Sequence, residues 1–193
     1  MIEIMIATLM AAQPIPEHTE RTVDATVAAM GQLHPRLEQA HAVSVAEAVI
    51  DAGDRYDIDP LFLLAVSFSE SRWNNAVKGD GGRSFGMFQM QLSVGRCVNW
   101  AGIFDGELRK PHSKRLLAKI LHDVHWSARI AAAFIAHLRR KYGKRKGVRD
   151  AMVIYNCGPV RCRQANGSQR RETPATKAYK RNYNKLKQGY VKQ

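Results

Sequence analysis

The chain has 193 residues, of which 45% are hydrophobic and only 7 are Pro. That is enough to bury the core of one domain and too apolar for a disordered chain. Its formal charge is +13, and the excess is local: from Arg139 to the end, 17 Lys and Arg face only Asp150 and Glu172, a net +15. A basic half of this kind seeks a polyanion: nucleic acid, an acidic membrane surface or an anionic cell-wall polymer. Three cysteines (Cys97, Cys157, Cys162) exclude a disulfide framework and, without a His pair at ligand spacing, argue against a zinc site. The expectation is therefore no metal and no cofactor.

The elements follow in chain order. Met1 to Pro14 begins with about a dozen apolar residues, but Glu3 stands where an export signal carries Lys or Arg. The run is also too short to span a bilayer, so no integral membrane span is expected. Residues 1–40 read as an N-terminal helical appendage: a short apolar helix, a break at Pro14 and Pro16, then a weakly periodic Thr/Ala-rich helix. Residues 41–193 read as the main domain. There, Ser44-Val-Ala-Glu47 has the form of a capping box opening a helix to about Tyr56. Asp59-Pro60 opens the next, with Asp as cap and Pro at the first helical position, and the apolar run from Leu61 ends at Glu70-Ser71. The Gly-rich residues 74–87 form a loop or a short, tight hairpin. A stretch with Trp100 and Phe104 leads to Pro111. Asp123 caps the longest helical pattern, with Ile130, Phe134, Ile135 and Leu138 on one face. A further helix carries Met152, Ile154 and Tyr155 and stops at Asn156-Cys-Gly-Pro159. From Pro174 a basic helix presents Tyr179, Tyr183, Leu186 and Tyr190. The expected fold class is all-α, becoming α+β if the Gly-rich loop forms a small hairpin.

Glu70 is the residue that suggests chemistry. A carboxylate at the end of an apolar helix, near a glycine-rich loop, is partly desolvated. Desolvation disfavours its charged form and holds a proton near neutral pH. Such a group suits a bond whose leaving oxygen must be protonated, and a glycosidic bond is the first candidate.

The ordered motifs Ile58-Asp-Pro, Ala65-Val-x-x-x-Glu70-Ser-x-x-Asn74, Gly86-Met87-x-Gln89 and Tyr155-Asn156-x-Gly-Pro159 resemble those of the soluble lytic transglycosylase family. The resemblance covers about Ser44 to Tyr190, and Glu172-Thr-Pro followed by Tyr179 resembles the family's closing segment. It implies a lysozyme-like helical domain that cleaves peptidoglycan between N-acetylmuramic acid and N-acetylglucosamine. Glu70 would protonate the glycosidic oxygen, then accept the muramoyl C6 hydroxyl proton and close a 1,6-anhydro ring without water. The substrate acetamido group would assist in place of a second carboxylate. Gly86 would let backbone approach the sugar. Gln89 would bond the sugar or Glu70. Tyr155 would place its hydroxyl on the Glu70 carboxyl or the acetamido group, and Asn156 would hold the neighbouring loop. Ser84 and Met87 belong to the same substrate-binding loop. Gln89 and Tyr155 also have simpler readings, as a loop-stabilising amide and a core residue.

Asp80 leaves an alternative open. A second carboxylate ten residues after Glu70 would act as general base on water and make the chain a hydrolytic muramidase; its other reading is a turn residue before Gly81-Gly82. A wall enzyme with no clear export signal and too few cysteines for a disulfide framework, one Cys157–Cys162 bridge being possible but not implied, further suggests delivery in a bacteriophage virion, in its tail or among its ejected proteins, to act in the host periplasm. Release as a cytoplasmic endolysin through a holin is the second route, and a specialised bacterial secretion apparatus the third. In the first case other virion proteins would be partners, and the basic C-terminal half would contact DNA. A mainly structural or DNA-binding virion protein that retains the fold is the reading from another class.

Overall fold

The computed structural model describes residues 22–91, 114–142, 155 and 174–191. Asn156, the three cysteines, the apolar start and the Trp100–Pro111 stretch lie outside them. The described part is mostly helical with one very small sheet, as expected for a lysozyme-like domain. None of its helices is long and apolar enough to cross a membrane.

Helix α1 (Val23–Gly31) starts where the Thr22 side chain accepts the Ala25 N–H. Within the stretch read as an appendage, α1 packs on the helices over 39–56 and 174–191 and buries Ala29 and Met30 completely. Helix α2 (Gln39–Tyr56) ends at Asp57 in the left-handed conformation. Its start differs from the capping-box reading. The helix begins at Gln39, five residues before Ser44, from Glu38, which makes no side-chain cap. Ser44 and Glu47 therefore lie inside the helix. The buried stripe Ala42, Val45, Ala46, Val49 and Ala52 extends above Ser44, and its packing outweighs a local cap signal.

Helix α3 (Pro60–Ser71) begins as read, with Asp59 Oδ1 accepting the Leu61 N–H at 2.9 Å and Pro60 at its first turn. Every residue from Pro60 to Ser67 is buried, which makes α3 the central helix. Full burial of its Leu, Val and Phe side chains contributes about 1.5–3 kcal/mol each, so its C-terminal end is a firm platform. The chain leaves α3 through two left-handed residues, Arg72 (φ 55°) and Trp73 (φ 64°). Trp73 is fully buried and donates its indole N–H to Leu64 O at 3.0 Å, while His41 Nε2 donates to Trp73 O at 2.8 Å.

The Gly-rich segment forms an antiparallel sheet in the order β1 (Lys78–Gly79), β2 (Ser84–Phe85), β3 (Met90–Gln91). Lys78 pairs with Phe85, and Phe85 with Met90. Helix α4 (Lys114–His122) was not anticipated. It buries Leu117, Ile120 and Leu121 and exposes Arg115 and Lys119, an amphipathic signal that was present in the sequence. Helix α5 (Val124–Tyr142) starts where Asp123 Oδ1 accepts the Trp126 N–H at 2.9 Å. It packs on α2, and Arg129 reaches across to Asp51 at 2.7 Å. Helix α6 (Pro174–Val191) lays Tyr179, Tyr183 and Leu186 against the core, chiefly against α3.

Candidate active site

Three elements meet at the C-terminal end of α3. The first is α3 itself, which turns Ser69 toward α6, Ser71 toward the sheet loop, and Glu70 between them. Ser71 Oγ donates to Met87 O at 2.8 Å, pinning the loop to the helix end. Asn182 Nδ2 donates to Ser69 Oγ at 2.8 Å, and Tyr183 donates to Asp59 Oδ2 at 2.6 Å at the other end of α3. Helix α6 is thus stitched along α3 by polar contacts within an apolar interface.

The third contact of this series falls on the expected catalytic residue. The Tyr179 hydroxyl donates a short hydrogen bond to Glu70 Oε1. No described residue hydrogen-bonds the other carboxyl oxygen, Oε2. Glu70 is half-buried. Burial pushes its carboxyl above the ordinary 4.5, the Tyr179 bond pulls it the other way, and the charge of Asp80 pushes it further up. Desolvation wins, so the site holds a carboxyl that keeps its proton to higher pH than a surface Glu.

Tyr155 stands close by but is oriented elsewhere. Its hydroxyl donates to Phe88 O at 2.6 Å and meets Met90 Sδ at 3.0 Å, and its ring packs edge-on against Phe134 of α5 at 6.1 Å. Burial, then the charge of Glu70, raises the phenol well above 10, so it stays protonated as a donor. The hydroxyl on the Glu70 carboxyl therefore belongs to Tyr179 rather than Tyr155. In the sequence Tyr179 stands on the basic helix and in the closing segment, with nothing local to assign it this contact. Its tyrosine stripe was the available signal.

The loop residues are organised around each other. Gln89, at φ 47°, donates its amide to Gly86 O at 2.9 Å and Val77 O at 3.2 Å. Its carboxamide oxygen occupies the space that a Gly79 side chain would need. In this conformation it is the cross-brace of the loop. Gly86 has φ 73° and lies against the Leu121 carbonyl at the end of α4, so a Cβ there would collide with backbone. Its close approach is to a helix end. Met87 is completely buried.

Asp80 sits at the β1–β2 turn with φ 50°, followed by Gly81 and Gly82, also at positive φ. Its carboxylate accepts the hydroxyl of buried Ser84 at 2.5 Å, and its carbonyl accepts Arg83 Nε at 2.9 Å. It is a turn residue by geometry and also near enough to Glu70 for its charge to be felt. Among the described residues, no group of three His, Cys, Asp or Glu side chains could hold a metal ion.

Comparison with protein families matches residues 47–177 to the transglycosylase SLT domain. That span contains Glu70, the sheet loop and Tyr155, and stops two residues short of Tyr179. No curated protein and no solved structure matches the chain. A match over more than half of the sequence, carried on a lysozyme-like helical fold with a protonatable carboxyl at its centre, makes this chain a member of the SLT family, whose members are lytic transglycosylases acting on peptidoglycan.

Proposed function

We propose that this protein cleaves the β-1,4 bond between N-acetylmuramic acid and N-acetylglucosamine without water, leaving a 1,6-anhydro-muramoyl end, with Glu70 as the sole catalytic carboxyl. The observation that carries this reading is the state of that carboxyl. Tyr179 fixes Oε1, no described residue bonds Oε2, and burial favours the protonated form. Protonated Glu70 gives its proton to the glycosidic oxygen as the C1–O bond breaks, and the acetamido oxygen shields the developing charge at C1. The carboxylate so formed then takes the C6 hydroxyl proton as that oxygen closes on C1, which restores the acid. A raised carboxyl serves the first step, and the Tyr179 donor stabilises the anion between steps.

Purified peptidoglycan digested with wild type and Glu70→Gln tests the assignment. Wild type releases soluble muropeptides, whose masses show anhydro ends; the variant releases none. Equal release by both proteins refutes it. The hydrolytic reading has one observation in its favour, the Asp80 charge felt at Glu70. Under it the released ends are reducing, and Asp80→Asn abolishes release. Anhydro ends from an active Asp80→Asn variant exclude it.

A further inference from the structure

A recess lies beside the C-terminal end of α3, away from Glu70. It has a volume of about 380 Å³ and is lined by Leu33, His34, Pro35 and Arg36 of the α1–α2 connection and by Phe68 and Arg72 at the end of α3. Phe68 precedes Glu70 by two residues, and at about 100° per residue it points about 160° away from it. A ligand here is held on the side of α3 away from Glu70.

Its floor is apolar and fixed. The Phe68 ring packs on buried Trp73 with centroids 4.7 Å apart, beside Leu33 and Pro35. Its rim is cationic. Arg36 and Arg72 are exposed and His34 is half-buried, and none of these three side chains has a hydrogen bond or ion pair among the described residues. Two other guanidiniums are paired, Arg129 with Asp51 and Arg139 with Asp57. The Arg72 position is also built. Consecutive left-handed residues other than Gly persist only where packing over-determines them. Here buried Trp73, tied to Leu64 and His41, does so. Arg72 is carried on a rigid stand beside Phe68.

We propose that this recess anchors the carboxylate end of a peptide stem of the wall polymer, away from the bond being cut; the substrate class rests on the function proposed above. Guanidinium groups match a carboxylate in a two-pronged geometry. The apolar floor takes the short aliphatic side chain next to that carboxylate, and the volume is in the range of a small-ligand site. Neutral glycan hydroxyls gain little from two guanidiniums. A phosphodiester backbone needs a row of cations rather than a recess. Anchoring away from Glu70 retains the enzyme on its polymer, so it lowers KM and leaves kcat alone.

The test uses the full chain and stem peptides released from peptidoglycan by amidase digestion. Calorimetry compares the free stem with its C-terminally amidated form, on wild type, Arg36→Gln and Arg36→Gln/Arg72→Gln. The expected result is at least tenfold weaker binding of the amide, and of the free stem by the double variant. Arg36→Gln falls between; because Arg36 lies in a connection between helices, this variant tests the recess even if the change at Arg72 disturbs folding. On intact peptidoglycan the double variant raises KM several-fold at unchanged kcat, and on peptide-free glycan strands it matches wild type. Equal binding of amide and acid, unchanged binding by both variants, or displacement of the stem by equimolar inorganic phosphate overturns the proposal. Failure of the catalytic reading looks different: wild type then binds stems yet cleaves neither polymer. If wild type cleaves both and binds no stem, only the anchoring proposal falls.

Discussion

Replacing Gly86 by alanine strikes the loop where it meets α4. The added methyl would run into the Leu121 carbonyl oxygen, lie 2.9 Å from the Leu121 carbonyl carbon, and lie 3.2 Å from Ser127 Oγ. These are mostly backbone atoms at a helix end, so relief requires moving α4 away from the sheet. Overpacking of this kind costs about 1–3 kcal/mol. The left-handed backbone, at φ 73°, adds about 1–2 kcal/mol once a Cβ is present. The expected loss is therefore about 2–5 kcal/mol, a large share of a typical stability of about 5–15 kcal/mol. With a urea slope of about 2 kcal/mol per molar, the midpoint falls by about 1–2.5 M. Urea unfolding followed by circular dichroism, with peptidoglycan clearing measured on the folded fraction, gives both readings. A variant within about 1 kcal/mol of wild type that still loses clearing would refute the packing argument. It would return Gly86 to the role of admitting the sugar.

Three further outcomes follow from the same geometry. The folded value of Glu70 lies above its ordinary 4.5, so its contribution to stability is present below pH 4.5 and is lost as pH rises through the folded value. Glu70→Gln should thus be inactive yet more stable than wild type at pH 7, with the gap closing below pH 4.5; a difference in Tm independent of pH contradicts this. The two neighbours of Glu70 act in opposite directions. Tyr179→Phe removes the bond that lowers the carboxyl and should move the alkaline limb of kcat/KM to higher pH, whereas Asp80→Asn removes a charge that raises it and should move the limb lower. Shifts of the same sign would show that these groups do not tune Glu70. Asp59→Ala removes both the α3 cap and the acceptor of Tyr183 and should cost about 1–3 kcal/mol in urea unfolding; a loss below about 0.5 kcal/mol denies that these two bonds hold α3 and α6 in register.

Much of the scaffold was legible because its signals are local. Asp59-Pro60 marks a helix start through one side-chain acceptor and one fixed φ, and Asp123 does the same for α5. The basic helix from Pro174 carries its core-facing residues Tyr179, Tyr183, Leu186 and Tyr190 at helical spacing. Where local signals competed with burial, reading failed. Ser44-Val-Ala-Glu47 fits a capping box, but the apolar stripe beginning at Ala42 packs against neighbouring helices and carries α2 past it. Helix α4 went unread between two stronger markers.

The sequence by itself determined that a single carboxylate would end an apolar helix beside a glycine-rich turn, since helix period, cap and glycine content act within a few residues of one another. Only the tertiary structure decided which hydroxyl meets that carboxylate. Tyr155 and Tyr179 are both tyrosines on helices downstream, and nothing local ranks them. The packing of α6 along α3 brings Tyr179 across 109 positions of chain to Glu70, while the contact with α5 turns Tyr155 toward the loop carbonyl. Likewise, glycine at position 86 was visible as conformational freedom, but that a helix carbonyl fills the space of its missing side chain depends on where α4 ends. Contacts between distant segments are fixed by how buried faces fit, and that fit is a property of the whole fold.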